Sequence, residues 1–569
     1  MGLMSSALQI GRSALLTYQS ALEVVGNNIS NVGTPNYTRQ TPVLNPAVGV
    51  QLPEGFTPGG GVTLSALQRN VDETLEDRLR VATGDQADAL VQQETLGRIE
   101  SIMNELSDND LSSLMQDLFN AFSALQNQPH DIASRATVVT AGQTVATEIQ
   151  RQRDDVLSLR GELNQQLKDS AIRADEIATE VAELNIRIVE VESGGKGAAN
   201  SLRDQQEALL RELGELIQIE VREQPDGGLN VYIGNEPLVQ GGLTRGLTTT
   251  LETVNSDPKI VVRFADNEGP ITIRGGKMAG LISARDEHVM GQIESLNSMA
   301  RALIEEVNKV HAMGQGLEGF TDVTGTYAVL DPSVALNSAD AGLDLTPQNG
   351  SFLLTVTDTT TGVSRTSTIT VDLDGVGTDE SLNSLVSQIN TKVSGIAATA
   401  TTDNRLRLAT DSGYEMTFAE DTSNVLAALG VNSFFSGEDA QDLAVNSVLT
   451  DNVNLLAAAT QYTPGDGTNA ANVAALGESA LTGLNNMSLN EFYNAIVSDV
   501  AVKASAALSG VEAADSITLS LTAQRESISG VSLDEETISL LRLERSFQGA
   551  ARYTTTVDRL IQETLALVG

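Results

Sequence analysis

The stretch Met4–Ile29 reads MSSALQIGRSALLTYQSALEVVGNNI and places Met4, Leu8, Gly11, Leu15, Tyr18, Leu22, Val25 and Ile29 at alternating steps of four and three. That is an unbroken heptad seam, a narrow stripe suited to another helix. The far end of the chain carries a matching pattern. In Leu540–Val568 the residues Leu540, Leu543, Phe547, Ala550, Thr554, Val557, Ile561, Thr564 and Val568 recur at steps of three and four, and Leu560, Leu565 and Leu567 widen the apolar face. Neither segment can bury its stripe alone, so the two ends are expected to pair with each other or with other copies. The residues assigned to this assembly interface are Leu8, Leu15, Leu22, Ile29, Leu540, Leu543, Phe547, Val557, Ile561 and Leu565. The plainer reading is two amphipathic helices lying on a globular core.

Composition narrows the function classes. The 569 residues include 35 basic and 75 acidic side chains, a net charge of −40. So acidic a chain is repelled by phosphate backbones and anionic membranes, which argues against nucleic acid or membrane as partner. Cysteine is absent, which excludes disulfides, thiolate metal sites and a cysteine nucleophile. Tryptophan is absent too, so the cores are expected to rest on Leu, Val, Ile and Ala. No apolar run of membrane-spanning length is found. The first residues lack the basic and apolar regions of a cleaved signal peptide, so work outside the cell would need another export route.

Patterning along the chain predicts an α+β multidomain protein with terminal coiled-coil helices, a central helical bundle domain and β-rich outer insertions. Helical pattern covers Val71 to about Leu106, a segment capped by Asp108 or Asp110 and running to Leu125, Ile132–Glu192, Leu202–Leu216, Met278–Met313 and Leu489 to about Ser527. Strand alternation appears at Leu229, Val231 and Ile233, at Ile260–Val262, at Ile271–Ile273, at Phe352, Leu354 and Val356, and at Leu406 and Leu408. Four regions are expected. Residues 1–60 with 530–569 form a terminal helical region. Residues 61–218 with 275–325 and 465–529 form the bundle. Residues 219–274 form a small β-rich domain, and 326–464 an outer β-rich insertion.

Two stretches carry a family resemblance. Asn27-Asn28-Ile29-Ser30-Asn31, followed by Thr34-Pro35-Asn36-Tyr37-Thr38-Arg39-Gln40, resembles the N-terminal signature of flagellar rod, hook and hook-associated proteins. Asn36 stands where that family usually has Gly, and Asn is the next best residue for a left-handed backbone. Ser527–Glu536, with Gly530-Val531-Ser532-Leu533-Asp534-Glu535-Glu536 at its centre, is similar to the C-terminal signature of the hook–filament junction branch of that family. The signature residues are Asn27, Asn28, Tyr37, Arg39, Leu533, Asp534, Glu535 and Glu536. The resemblance implies a self-assembling structural protein of the bacterial flagellum, extracellular and exported through the flagellar type III channel. It implies as partners copies of the chain itself, hook protein, hook-associated protein 3 and a flagellar export chaperone. Hook-associated protein 3 itself and flagellin are the alternatives within the family, and a secreted enzyme or adhesin is the alternative outside it.

Signals for catalysis are weak. His130, His288 and His311 show no metal-ligand spacing and read as surface or helix-end residues. Gly314-Gln315-Gly316-Leu317-Glu318-Gly319 matches a phosphate-loop spacing but follows a helix, so it reads as a flexible helix exit. Asp372, Asp374, Gly375, Gly377, Asp379 and Glu380 faintly resemble a calcium loop, and read better as a strand-to-helix turn with capping acids. No catalytic residue, cofactor or metal is expected.

Overall fold

A computed structural model describes residues 2–49, 59–103, 110–193, 197–254, 257–460 and 465–568. The first helices are α1 (Gly2–Ser30), α2 (Glu73–Met103), α3 (Leu111–Asn127), α4 (Ile132–Glu192) and α5 (Asn200–Leu216). Next, α6 (Lys277–Ser283) and α7 (Met290–Ala312) flank a π-helical segment, Ala284–Val289. Four short helices follow: α8 (Leu382–Lys392), α9 (Val425–Ala428), α10 (Ser447–Asp451) and α11 (Thr468–Ala475). Two long ones, α12 (Leu489–Ser529) and α13 (Leu533–Val568), end the chain. Among the described residues no helix is long and apolar enough to cross a membrane.

The chain divides into two compact units. One holds Met1–Glu94, Glu162–Arg285 and Ser505–Gly569; the other holds Thr95–Gly161 and Asp286–Ala504. The expected boundaries at 60/61, 218/219 and 529/530 fall inside the first unit. Helices α2, α4 and α12, of 31, 61 and 41 residues, each contribute a segment to both units, so helix ends do not mark the division.

In the first unit α1 packs against α13. Ala21, Val25 and Leu543 are buried at the centre, with Tyr18, Leu22, Ile29 and Leu540 packed around them. A Cβ at Gly11 would run into the Thr554 side chain, so glycine there lets the two helices close. After α1 comes an antiparallel hairpin of β1 (Gln40–Pro46) and β2 (Val62–Arg69), whose ladder shifts register at Val43/Leu44. Ser13 and Thr17 of α1 donate their hydroxyls to the carbonyl oxygen of Val62 at 2.5 and 3.0 Å. Leu75, Leu79 and Ala82 of α2 meet Leu521 of α12, and Leu184 and Ile188 of α4 meet Ala199.

The small β region forms an antiparallel meander of β3 (Glu220–Glu223), β4 (Leu229–Ile233), β5 (Glu236–Gln240) and β6 (Leu243–Thr244). A separate hairpin pairs β7 (Leu247–Val254) with β8 (Asp257–Phe264). Asn185 of α4 fixes the meander. Its Nδ2 donates to the carbonyls of Leu229 and Gly241 at 2.8 and 2.7 Å, and its Oδ1 accepts from the Leu229 N–H at 2.7 Å. The strand expected at Ile271–Ile273 does not form. Gly269-Pro270 makes one bridge to Arg263 and then leaves the ladder, since proline has no N–H to continue it.

The second unit joins helices to two three-stranded sheets. Strands β9 (Asp322–Thr324), β10 (Gly350–Asp358), β11 (Ser364–Val371), β12 (Ile396–Ala400), β13 (Leu406–Thr410) and β14 (Tyr414–Ala419) pair in the orders β11-β10-β14 and β12-β13-β9. Asn308 of α7 accepts the backbone N–H groups of Phe434 and Phe435, both at 2.9 Å. The Phe434 ring stands edge-on to Phe122 of α3 at 5.3 Å and to Phe435 at 4.7 Å. Phe434 and Phe435 thus pack with α3 and α7. The glycine-rich exit from α7 is also packed, not free. Gln315 pairs with Ala459, and a Cβ at Gly314, Gly316 or Gly319 would collide with Asn469, with the 454–455 backbone or with Glu415 and Met416.

Candidate functional site

The two signatures, about 500 residues apart in sequence, meet in the first unit. Helix α1 ends at Ser30, and Gly33 and Asn36 take positive φ values of 76° and 64°, which reverses the chain. The left-handed backbone inferred for Asn36 is the one found. This turn brings Tyr37, Thr38, Arg39 and Gln40 back beside Asn28 and against the first turn of α13.

Asn28, 1% exposed, is fully bonded. Its Nδ2 donates to the Gln40 carbonyl at 2.8 Å and to Glu536 Oε2 at 3.0 Å, and its Oδ1 accepts from the Tyr37 hydroxyl at 2.7 Å and the Gln40 N–H at 3.1 Å. Arg39 forks across the helix start: Nε donates to Glu536 Oε1 at 2.8 Å and Nη1 to Glu535 Oε2 at 2.5 Å. The Arg39 N–H closes the clasp on the Ser529 carbonyl at 2.9 Å. Glu536 is 2% exposed, whereas Glu535 is 61% exposed. Asp534, Glu535 and Glu536 also occupy the first turn of α13, where carboxylates are favoured by the helix dipole. Burial, then the nearby carboxylates of Asp204 and Glu536, push the Tyr37 hydroxyl pKa up to about 12, so the ring stays a neutral donor.

A second tie holds the outer side of the turn. Arg69 Nε donates to Asp204 Oδ1 at 2.9 Å, and Asn200 Nδ2 donates to Gln40 Oε1 at 3.2 Å. The signature residues thus separate by role. Asn28, Tyr37, Arg39, Glu535 and Glu536 are brought together. Asn27 is exposed and approaches the Tyr37 hydroxyl at 3.4 Å, while Leu533 and Asp534 face outward.

The seam residues divide in the same way. On α13, Leu540, Leu543, Phe547, Val557 and Ile561 lie on the inward, partly or fully covered side. Leu565 is 56% exposed and points away. On α1, Leu8, Leu15, Leu22 and Ile29 are half-buried, and the deepest positions are Gly11, Thr17, Ala21, Val25 and Asn28. The side chains of Met4, Leu567 and Val568 lie outside the described residues.

Sequence reading missed two buried polar clusters. In the first unit Glu76, 3% exposed, accepts from Arg525 Nε at 2.7 Å, and Arg80 donates to Glu207 at 2.5 Å. These side chains sit on three helices, and no local spacing announces them. In the second unit His311 is fully buried, not a surface residue. Its Nε2 accepts the Ala457 N–H at 3.0 Å, so Nδ1 carries the proton and donates to the Asn432 carbonyl at 2.8 Å. Burial lowers its pKa to about 4. Arg135, 1% exposed, donates to the carbonyls of Pro129 and Leu456 at 2.8 and 2.6 Å, and burial lowers its pKa to about 10. The apolar spacing Ala300, Leu303, Val307, His311 is the signal that points His311 inward. His130 is exposed, and His288 is half-buried.

The acids at 372–380 sit in a turn. Asp374 accepts the Val376 N–H at 2.8 Å and Asp379 the Gly375 N–H at 3.0 Å. The clasp and the seam hold helices together.

Comparison with known proteins agrees with that reading. Residues 96–325 match the family described as Flagellar hook-associated protein FlgK helical domain, and residues 8–38 match Flagella basal body rod protein. Flagellar hook-associated protein 1 of Escherichia coli (strain K12) is 26% identical over 98% of this chain and 98% of its own length. The chain is similar to flagellar hook-associated protein 1 over nearly its whole length. Flagellar hook-associated protein 1 of Bacillus subtilis (strain 168) is 25% identical over 61% of this chain and 76% of its own. The flagellar hook junction protein FlgK from Burkholderia pseudomallei shares the fold at 16% identity, with a TM-score of 0.51 over 80% of this chain and all of that one. In this chain the clasp joins the segment similar to rod proteins to the start of the last helix.

Proposed function

We propose that this chain is a self-assembling structural component of the bacterial flagellum that forms the junction between hook and filament, and not an enzyme. The observation that carries the reading is the paired and clasped α1–α13 unit in a chain similar to hook-associated protein 1 over nearly its whole length. Helix packing supplies the mechanism. The seam sets α1 on α13, the clasp fixes the turn between them, and the remaining half-buried flanks meet neighbouring copies. The partners are further copies, hook protein, hook-associated protein 3 and, before assembly, a flagellar export chaperone. The site of action is the flagellum, outside the cell.

Immunogold labelling of isolated hook–filament structures tests this. Label confined to the boundary between the two is expected. Label along the whole filament would favour a flagellin role, and label absent from flagella would overturn the reading.

A further inference from the structure

Two exposed charge stripes in the first unit share one repeat. On α13, Arg545, Arg552 and Arg559 are spaced by seven residues and all are exposed. On α4, Glu162, Asp169, Glu176, Glu183 and Glu190 are spaced by seven, and all five are exposed. Seven residues bring a helix back to nearly the same side, drifting by only about 20°. Each set is therefore a line of like charge along one face. At 1.5 Å per residue the arginine line is about 21 Å long and the acidic line about 42 Å.

Two of the three arginines lack an ion-pair partner among the described residues. Among the described residues Arg545 and Arg552 make no ion pair, and Arg559 has only Glu563 at 3.6 Å. That is notable in a chain with 75 acidic and 35 basic residues, where nearly any acidic neighbour could have paired them. Along the acidic line Glu176 meets Arg173 at 3.1 Å, while Glu183 and Glu190 have no ion pair among the described residues. Ile172 and Ile186, 49% and 56% exposed, flank the acids and supply apolar contact beside the charges.

We propose that the arginine stripe of α13 docks on the acidic stripe of α4 in a second copy of the chain. The two lines carry opposite charge at the same repeat, the arrangement by which charged flanks of paired helices choose partner and register. The second copy is the occupant because it offers the complementary stripe at matching spacing. The longer acidic line also allows the three arginines to engage any three successive acids.

This inference rests on the self-assembly reading, and the experiment keeps the two apart. The chain has no cysteine, so introduced cysteines report contacts cleanly. Full-length Arg552→Cys is mixed with full-length Asp169→Cys, Glu176→Cys or Glu183→Cys, assembled on isolated hooks and treated with a short bismaleimide. A heterodimer with at least one acidic-stripe variant, and none with Asp226→Cys, is expected. In parallel, Arg545→Glu/Arg552→Glu/Arg559→Glu and Asp169→Lys/Glu176→Lys/Glu183→Lys should each weaken association by about tenfold, with the mixture of the two restoring it. Wild-type association should fall as salt rises. Wild-type assembly with no cross-link on the stripe and no effect of either reversal would overturn the docking and leave self-assembly standing. A wild-type chain that stays monomeric on hooks would overturn both.

Discussion

Replacing Glu536 by alanine should loosen the turn that joins α1 to α13. This carboxylate is 2% exposed and accepts from Arg39 Nε at 2.8 Å and from Asn28 Nδ2 at 3.0 Å. Hydrogen bonds to a charged group contribute about 1.5–3 kcal/mol each, and Arg39 is partly solvated, so its share falls at the low end. The loss also leaves a buried Asn28 donor to the Gln40 carbonyl alone. Together the cost is about 3 kcal/mol. Glu535→Ala is the control, because that carboxylate is 61% exposed and its pair with Arg39 contributes less than about 0.5 kcal/mol. Glu536→Gln keeps the shape without the charge and should fall between the two. Urea unfolding of the full-length chain, with amide exchange read across residues 2–30 and 533–568, measures all three. Equal losses for Glu536→Ala and Glu535→Ala would refute the clasp.

Three further outcomes follow from burial and charge. Leu543→Ala should cost about 2–3 kcal/mol by removing a buried leucine between α1 and α13, read as lost helical signal on urea titration. Phe434→Ala should cost about 3–5 kcal/mol in the second unit, because its ring touches Phe122, His311 and Phe435, and thermal unfolding checks this. His311 carries the pH dependence. Its pKa falls from 6.5 to about 4 on folding, so the unfolded chain binds its proton more readily between those values. The contribution, roughly 3 kcal/mol, is complete above pH 6.5 and is lost as pH falls towards 4. The melting temperature of His311→Gln should therefore change less steeply than wild type over that range.

The helical skeleton was legible because its signals are local. Apolar spacing located Ile132–Glu192 and both terminal seams, and Asp110 caps α3 with its side chain on the Ser113 N–H at 2.7 Å. The residues of the clasp were also legible, but only as two separate signatures. Nothing in either stretch says that Arg39 reaches Glu536. Long-range features stayed hidden for the same reason. The glycines at 314, 316 and 319 are set by backbone brought from residues 415–469, and Ile271–Ile273 has the side chains of a strand but no ladder to join. The unit division was equally hidden, since α2, α4 and α12 continue across it without a break in pattern.

The central claim is that the paired chain ends build the junction. The most direct measurement is electron microscopy of flagella in a strain lacking its own hook-associated protein 1 and expressing this chain or its Leu15→Asp or Leu543→Asp variant. The account predicts filaments on hooks with the wild-type chain, and bare hooks with either variant although its second unit remains folded. Filaments attached normally in both variants, or bare hooks with the wild-type chain present and exported, would contradict it.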